Sequence, residues 1–133
     1  MVDDNLNVSM EEASVKELNE EGAAMRLYIG VEEVPVKWET NASVKELSSI
    51  LPLTVKLSMY GGFEQVGPLG SDIPREDEQI RAKAGDIVLY SGNQIVLFYG
   101  SNEWAYTRLG HMDLPEDELT RLLRNGDVSI CLE

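Results

Sequence analysis

Two apolar runs dominate the pattern of this chain. Ile87, Val88, Leu89 and Tyr90 form the first, and Ile95 to Tyr99 the second, with Ser91-Gly92-Asn93 between them. Runs this short, rich in β-branched and aromatic side chains, suit strands and not helices. The Gly-containing connection accommodates positive φ, so the pair reads as a β-hairpin. Neither run alternates apolar with polar. Both faces of the hairpin are therefore expected to be covered, as they are at the centre of a closed barrel or a sandwich. A third strand over residues 105–109 is expected next, after a polar loop at residues 100–103.

The flanking pattern predicts the remaining elements. Met25, Leu27, Ile29 and Val31 alternate with polar or small residues, and Val34, Val36 and Trp38 alternate again, which predicts an opening hairpin. Pro35 removes a backbone donor and puts the second strand at an edge or at a strand start. Asn41 can cap a helix over residues 42–51, with Val44, Leu47 and Leu51 on one stripe and Pro52 as its stop. Leu53, Val55, Leu57 and Met59 mark a strand with one buried face. Gly61-Gly62 turns the chain into a short return strand at residues 63–66. Residues 67–83 read as a long connection of the kind that carries sites. Asp113 and Pro115 open a second helix, with Leu119, Leu122 and Leu123 on its apolar side and Gly126 at its end. Val128, Ile130 and Leu132 make a closing strand. The order β-β-α-β-β-loop-β-β-β-α-β predicts a mainly β barrel with a helix at each end.

Composition narrows the function classes. The chain has 133 residues, of which 43% are hydrophobic, enough for one domain with a core of its own. Its net charge of −13 argues against nucleic acid as a partner, because phosphate recognition needs clustered Lys and Arg. Anionic membrane surfaces are disfavoured for the same reason, and no apolar run approaches the ~18 residues of a spanning helix. Cys131 is the single cysteine, which precludes an intramolecular disulfide and fits a cytoplasmic setting. Residues 1–24 carry seven acids against one base, Lys16, and read as a short acidic helix or a solvated tail ahead of a barrel domain at residues 25–133.

Taken together, these signals resemble the bacterial cyclophilin-like family. The resemblance rests on several features: the opening hairpin, the helix running into Leu51-Pro52-Leu53-Thr54, the Gly61-Gly62 turn, and Gly85-Asp86-Ile87 with Leu89-Tyr90. Asn93 with Ile95 to Tyr99, Tyr106-Thr107-Arg108-Leu109-Gly110, and the closing helix and strand complete it. It implies a closed eight-stranded β-barrel with two capping helices. True cyclophilins are peptidyl-prolyl isomerases, whose site uses a strand-borne arginine, an apolar proline pocket and a glutamine. The comparable stretch, Ser58-Met59-Tyr60-Gly61-Gly62-Phe63-Glu64-Gln65, holds no arginine. Arg108 is strand-borne but stands outside that motif. No catalytic residue is carried over, and a divergent isomerase remains the alternative to a binding module.

Other chemistries find little support. His111 is the only histidine and reads as a surface or capping residue, with no nucleophile elbow beside it. One His and one Cys make a poor metal site, and no cofactor is implied. Glu76-Asp77-Glu78 and Glu116-Asp117-Glu118 read as solvated charge runs. The aromatic residues offer more. Tyr60, Phe63, Tyr99, Trp104 and Tyr106, with Gln65 and Arg108, are the candidate ligand-binding residues. A cleft between residues 61–70 and 100–106 would bring them together. The expected partner is a peptide or a small molecule, on a monomer or weak homo-oligomer.

Overall fold

The computed structural model describes residues 25–133; the acidic segment expected at residues 1–24 lies outside them. Chain order is β1 (Leu27–Ile29), β2 (Glu32–Val34), β3 (Val36–Trp38), α1 (Ala42–Ser49), β4 (Leu53–Tyr60) and β5 (Glu64–Pro68). It continues with β6 (Glu78–Ala82), β7 (Asp86–Tyr90), β8 (Gln94–Phe98), β9 (Asn102–Met112), α2 (Glu116–Leu123) and β10 (Val128–Leu132).

The strands pair antiparallel in the order β2-β1-β10-β4-β5-β8-β7-β9-β3. The two ends of that path are consecutive in sequence, parted only by Pro35. Val34 pairs with Leu27 on β1, and Val36 pairs with Met112 on β9. Proline lacks the amide hydrogen that would continue one ladder, so the chain bends there and changes partner. Counted as one bent strand, β2 and β3 close a ring of eight. The expected hairpin is therefore β1–β2 alone. Val31, expected on the buried alternation, is 95% exposed in its turn.

Alternation along β7 and β8 sorts two cores. Ile87, Leu89, Ile95 and Leu97 enter the main cluster inside the barrel. Val88, Val96 and Phe98 point the other way, into a second cluster with Ala82 and Tyr106. Both faces of this hairpin are covered, as its unbroken apolar runs require. The outer cover is β6 with the first half of β9, paired from Glu78↔Tyr106 to Ala82↔Asn102. β6 lies within the stretch expected to be connection, and it stands off the ring. β9 runs eleven residues, well past the expected 105–109. Its second half pairs with β7 through an irregularity between Ile87 and Val88.

The helices follow their local signals. Asn41 caps α1, its side-chain oxygen accepting from the Val44 amide at 2.9 Å, and its amide group donates to the Arg108 carbonyl at 2.9 Å. The helix stops at Ser49, two residues short of the expected end. α2 begins after Pro115, with Glu116, Asp117 and Glu118 in its first turn, where acids favour the helix dipole. Val44 and Leu47 from α1, and Leu119 and Leu123 from α2, join the interior cluster.

Candidate functional site

The sheet's outer face carries a cleft of about 520 Å³. Tyr60 and Glu64 enter it as cross-strand partners of the β4–β5 hairpin, and Glu64 is also paired with Phe98 on β8. Val66 lines it from the same face of β5. Tyr90 and Gln94 contribute from the paired ends of β7 and β8. Asn102, Trp104 and Tyr106 complete it at alternate positions of β9, which places all three on one side of that strand.

The rings form a connected series. Tyr60 meets Phe63 edge-on, centroids 6.1 Å apart, and Phe63 stacks on Phe98 at 6.3 Å. Phe98 meets Tyr106 at 5.7 Å, and Tyr106 meets Tyr90 at 6.2 Å, both in edge-to-face arrangements. Such pairs are favoured by the ring quadrupole and stiffen the wall they form. Asn102 Nδ2 donates to the Tyr106 hydroxyl at 2.9 Å, fixing the far end. Trp104 is 54% exposed.

Phe63 is seated by two glycines. Gly61 has φ of +66°, and a β-carbon there would collide with the Phe63 ring. A β-carbon on Gly100 would stand 2.8 Å from Phe63 Cβ. The Phe63 carbonyl accepts from the Tyr99 and Gly100 amides at 3.0 and 2.9 Å, which locks the turn to the end of β8.

Glu64 sets the electrostatics. Only 7% of the residue is exposed, and burial alone pushes its carboxyl up from 4.5 to about 7. No neighbouring cation or donor among the described residues acts to hold its charge. Burial also pushes the Tyr106 hydroxyl up; the hydrogen bond from Asn102 opposes this, while the Glu64 charge adds to it. An isolated acid in an aromatic cleft, titrating near neutrality, is the environment in which binding and proton-transfer groups are found.

Of the residues expected to bind a ligand, Tyr60, Phe63, Trp104 and Tyr106 line this cleft. Gln65, Tyr99 and Arg108 are placed elsewhere. Gln65 is fully buried on the opposite face of β5, and its Nε2 donates to the Leu123 and Gly126 carbonyls at 2.8 Å each. Tyr99 is buried in the interior cluster. Arg108 opens on a neighbouring groove beside Glu39 and Glu76, and its Nη1 lies 3.5 Å from Asp86. Trp104, expected in a polar loop, sits within β9 with its partner Ile80. The loop before it shrinks because Asn102 and Glu103 pair with Ala82 and Arg81. Glu64, Tyr90, Gln94 and Asn102 belong to the site and were not among the expected residues. For Glu64 the signal was present: one residue away from Gln65, it shares the strand face of Val66.

His111, expected as a surface or capping residue, is half-exposed near the end of β9 and partners a buried acid. Its Nδ1 lies 2.8 Å from Oδ1 of buried Asp86, whose other oxygen accepts from the Lys83 amide at 2.9 Å. This fixes the turn into β7 and lies apart from the cleft. Among the described residues no three His, Cys, Asp or Glu side chains gather as metal ligands, and no helix is long and apolar enough to cross a membrane.

No curated protein matches the chain significantly. The model of the cyclophilin-like family matches residues 27–133. That span begins at the first barrel strand and takes in the bent strand that closes the ring, both helices and every wall of the cleft. The chain belongs to the cyclophilin-like family.

Proposed function

We propose that this protein is a binding module that takes a small organic ligand or a peptide segment in the aromatic cleft. One observation carries the reading: five rings, those of Tyr60, Phe63, Tyr90, Trp104 and Tyr106, converge with one buried carboxyl on a cleft of about 520 Å³. That size lies within the range of small-molecule sites, and the mixture of apolar walls with a few polar groups is what such sites use. Exposure of Trp104 supports the same reading, because a half-exposed indole on a strand is stabilised when a ligand covers it.

The test is an amide NMR titration of the full chain against proline-containing peptides and a panel of metabolites. Trp104 emission provides a second readout. Trp38, the other tryptophan, is buried and donates to the Met25 carbonyl at 2.9 Å, so it contributes a constant background. The expected result is a set of shifts confined to residues 60–66, 90–94 and 102–106. Shifts confined to other surfaces, or none with any compound, would overturn the reading.

A further inference from the structure

The charges around the cleft are one-sided. Among the described residues, Glu64 is the single charged side chain on its walls, and no Lys, Arg or His lines it. Its carboxyl lies among Tyr60, Phe63, Phe98 and Tyr106, groups that offer π-faces and hydroxyls and no formal positive charge. A buried carboxylate without a cation is unfavourable. Aromatic rings lining one space attract cations through their negative faces. A positively charged group complements both features.

We propose that the cleft binds a small organic ammonium ion, with Glu64 as counter-ion and the rings of Tyr60, Phe63, Trp104 and Tyr106 as its cage. This rests on the reading of the cleft as a ligand site and specifies its ligand class. The ammonium N–H groups find acceptors in Glu64 and in the side-chain oxygens of Gln94 and Asn102 on the same walls. Its carbon atoms meet the rings. The chain's net charge of −13 adds a field that draws cations in and repels anions. A free small molecule fits better than a long peptide, because strands β4, β5, β7, β8 and β9 wall the space on several sides.

The arrangement couples binding to a proton. With the cleft empty, burial holds the Glu64 carboxyl at about 7, so near neutrality it is partly protonated. An arriving ammonium favours the ionised form and displaces that proton. The titratable groups facing Glu64 are the tyrosines Tyr60 on β4, Tyr90 on β7 and Tyr106 on β9, and burial pushes the Tyr106 hydroxyl up, away from this range. Affinity for a cation therefore rises with pH through neutrality.

Benzylammonium, its neutral isostere benzyl alcohol, and benzoate test this by NMR titration of the full chain at pH 6 and pH 8. Benzylammonium is expected to shift the Glu64 and Trp104 signals and to bind about tenfold tighter than the alcohol at pH 8. Its affinity is expected to fall about tenfold at pH 6. Glu64→Gln keeps the shape of the site and is expected to bring ammonium and alcohol within about twofold of each other. Alcohol or benzoate binding in the cleft as well as the ammonium does would overturn the cation assignment and leave the cleft a ligand site. A blocked Gly-Lys-Gly peptide binding tighter than benzylammonium would overturn the small-molecule assignment. No cleft shift with any of the four compounds would overturn the cation assignment, and the panel titration then decides whether the cleft binds anything.

Discussion

Glu64 and Phe98 are direct partners across the β5–β8 ladder, so a carboxyl group and a phenyl ring project side by side from one face of the sheet. The ring removes water that the carboxylate would otherwise hold, and among the described residues no cation replaces it. The folded state therefore prefers the protonated acid, with a pKa of about 7, while the unfolded chain releases that proton near 4.5. Between these values the folded state holds more protons than the unfolded state, so stability falls as pH rises. Below the unfolded pKa the protonated group carries no penalty, and above the folded pKa the penalty is complete. It amounts to about 3 kcal/mol. Glu64→Gln should be more stable than the parent by that order at pH 8 and equal to it near pH 4. Urea unfolding at both pH values measures the difference, and parallel pH profiles for the two proteins would contradict the assignment.

Gln65 performs the opposite service on the opposite face. Its two amide hydrogens satisfy the Leu123 and Gly126 carbonyls at the end of α2, where a helix leaves acceptors without partners. Gln65→Leu leaves the buried Leu123 carbonyl without this donor, while the exposed Gly126 carbonyl can turn to water, a loss of about 1–3 kcal/mol. The cleft faces away from this change, so the shape of any ligand-induced NMR pattern should survive it. A variant that keeps full stability, or one that stays folded and loses cleft binding, would show that the two faces are not separate.

These neighbours explain what could be read from the sequence. The barrel was legible because Ile87–Tyr90 and Ile95–Tyr99 lack polar alternation, and only a strand covered on both sides tolerates that. The parity of single residues was harder. Gln65 and Tyr99 point into the barrel, while Glu64 and Phe98, each one position earlier, point to the outer face. A strand has a period of two, so choosing the neighbour chooses the wrong side. β6 carried no strand signal: Glu78, Gln79 and Arg81 are exposed, and it pairs with β9 on one side only. The bend at Pro35 was legible as an interruption. That it hands the chain from β1 to β9 depends on where β9 ends, which no local pattern encodes.

Gly61 positions Phe63. A methyl group at residue 61 meets the Phe63 ring, and the backbone there has φ of +66°, so Gly61→Ala carries both a collision and a strained conformation. The expected loss is about 1–3 kcal/mol. The rest of the β4–β5 ladder should persist, while the Phe63 ring leaves its stack on Phe98. Ring-proton chemical shifts of Phe98 report the stack, and thermal unfolding reports the loss. Unchanged Phe98 shifts in the folded variant would mean that the glycine does not hold the ring.

Prolyl isomerisation requires lowering a rotation barrier of about 18–20 kcal/mol. The site of true cyclophilins uses a strand-borne arginine for this. Among the described residues no arginine lines the cleft. Arg108, the strand-borne candidate, opens on the groove beside Glu39 and Glu76, with its Nη1 3.5 Å from Asp86. The cleft's own ionisable group is Glu64, which is neutral or negative and cannot replace a guanidinium. A protease-coupled assay on a proline peptide is therefore expected to run at the uncatalysed rate for the parent, Arg108→Ala and Trp104→Ala alike. Acceleration above about tenfold that disappears in Trp104→Ala would place isomerase chemistry in the aromatic cleft. If it disappeared only in Arg108→Ala, the neighbouring groove would be the catalytic site.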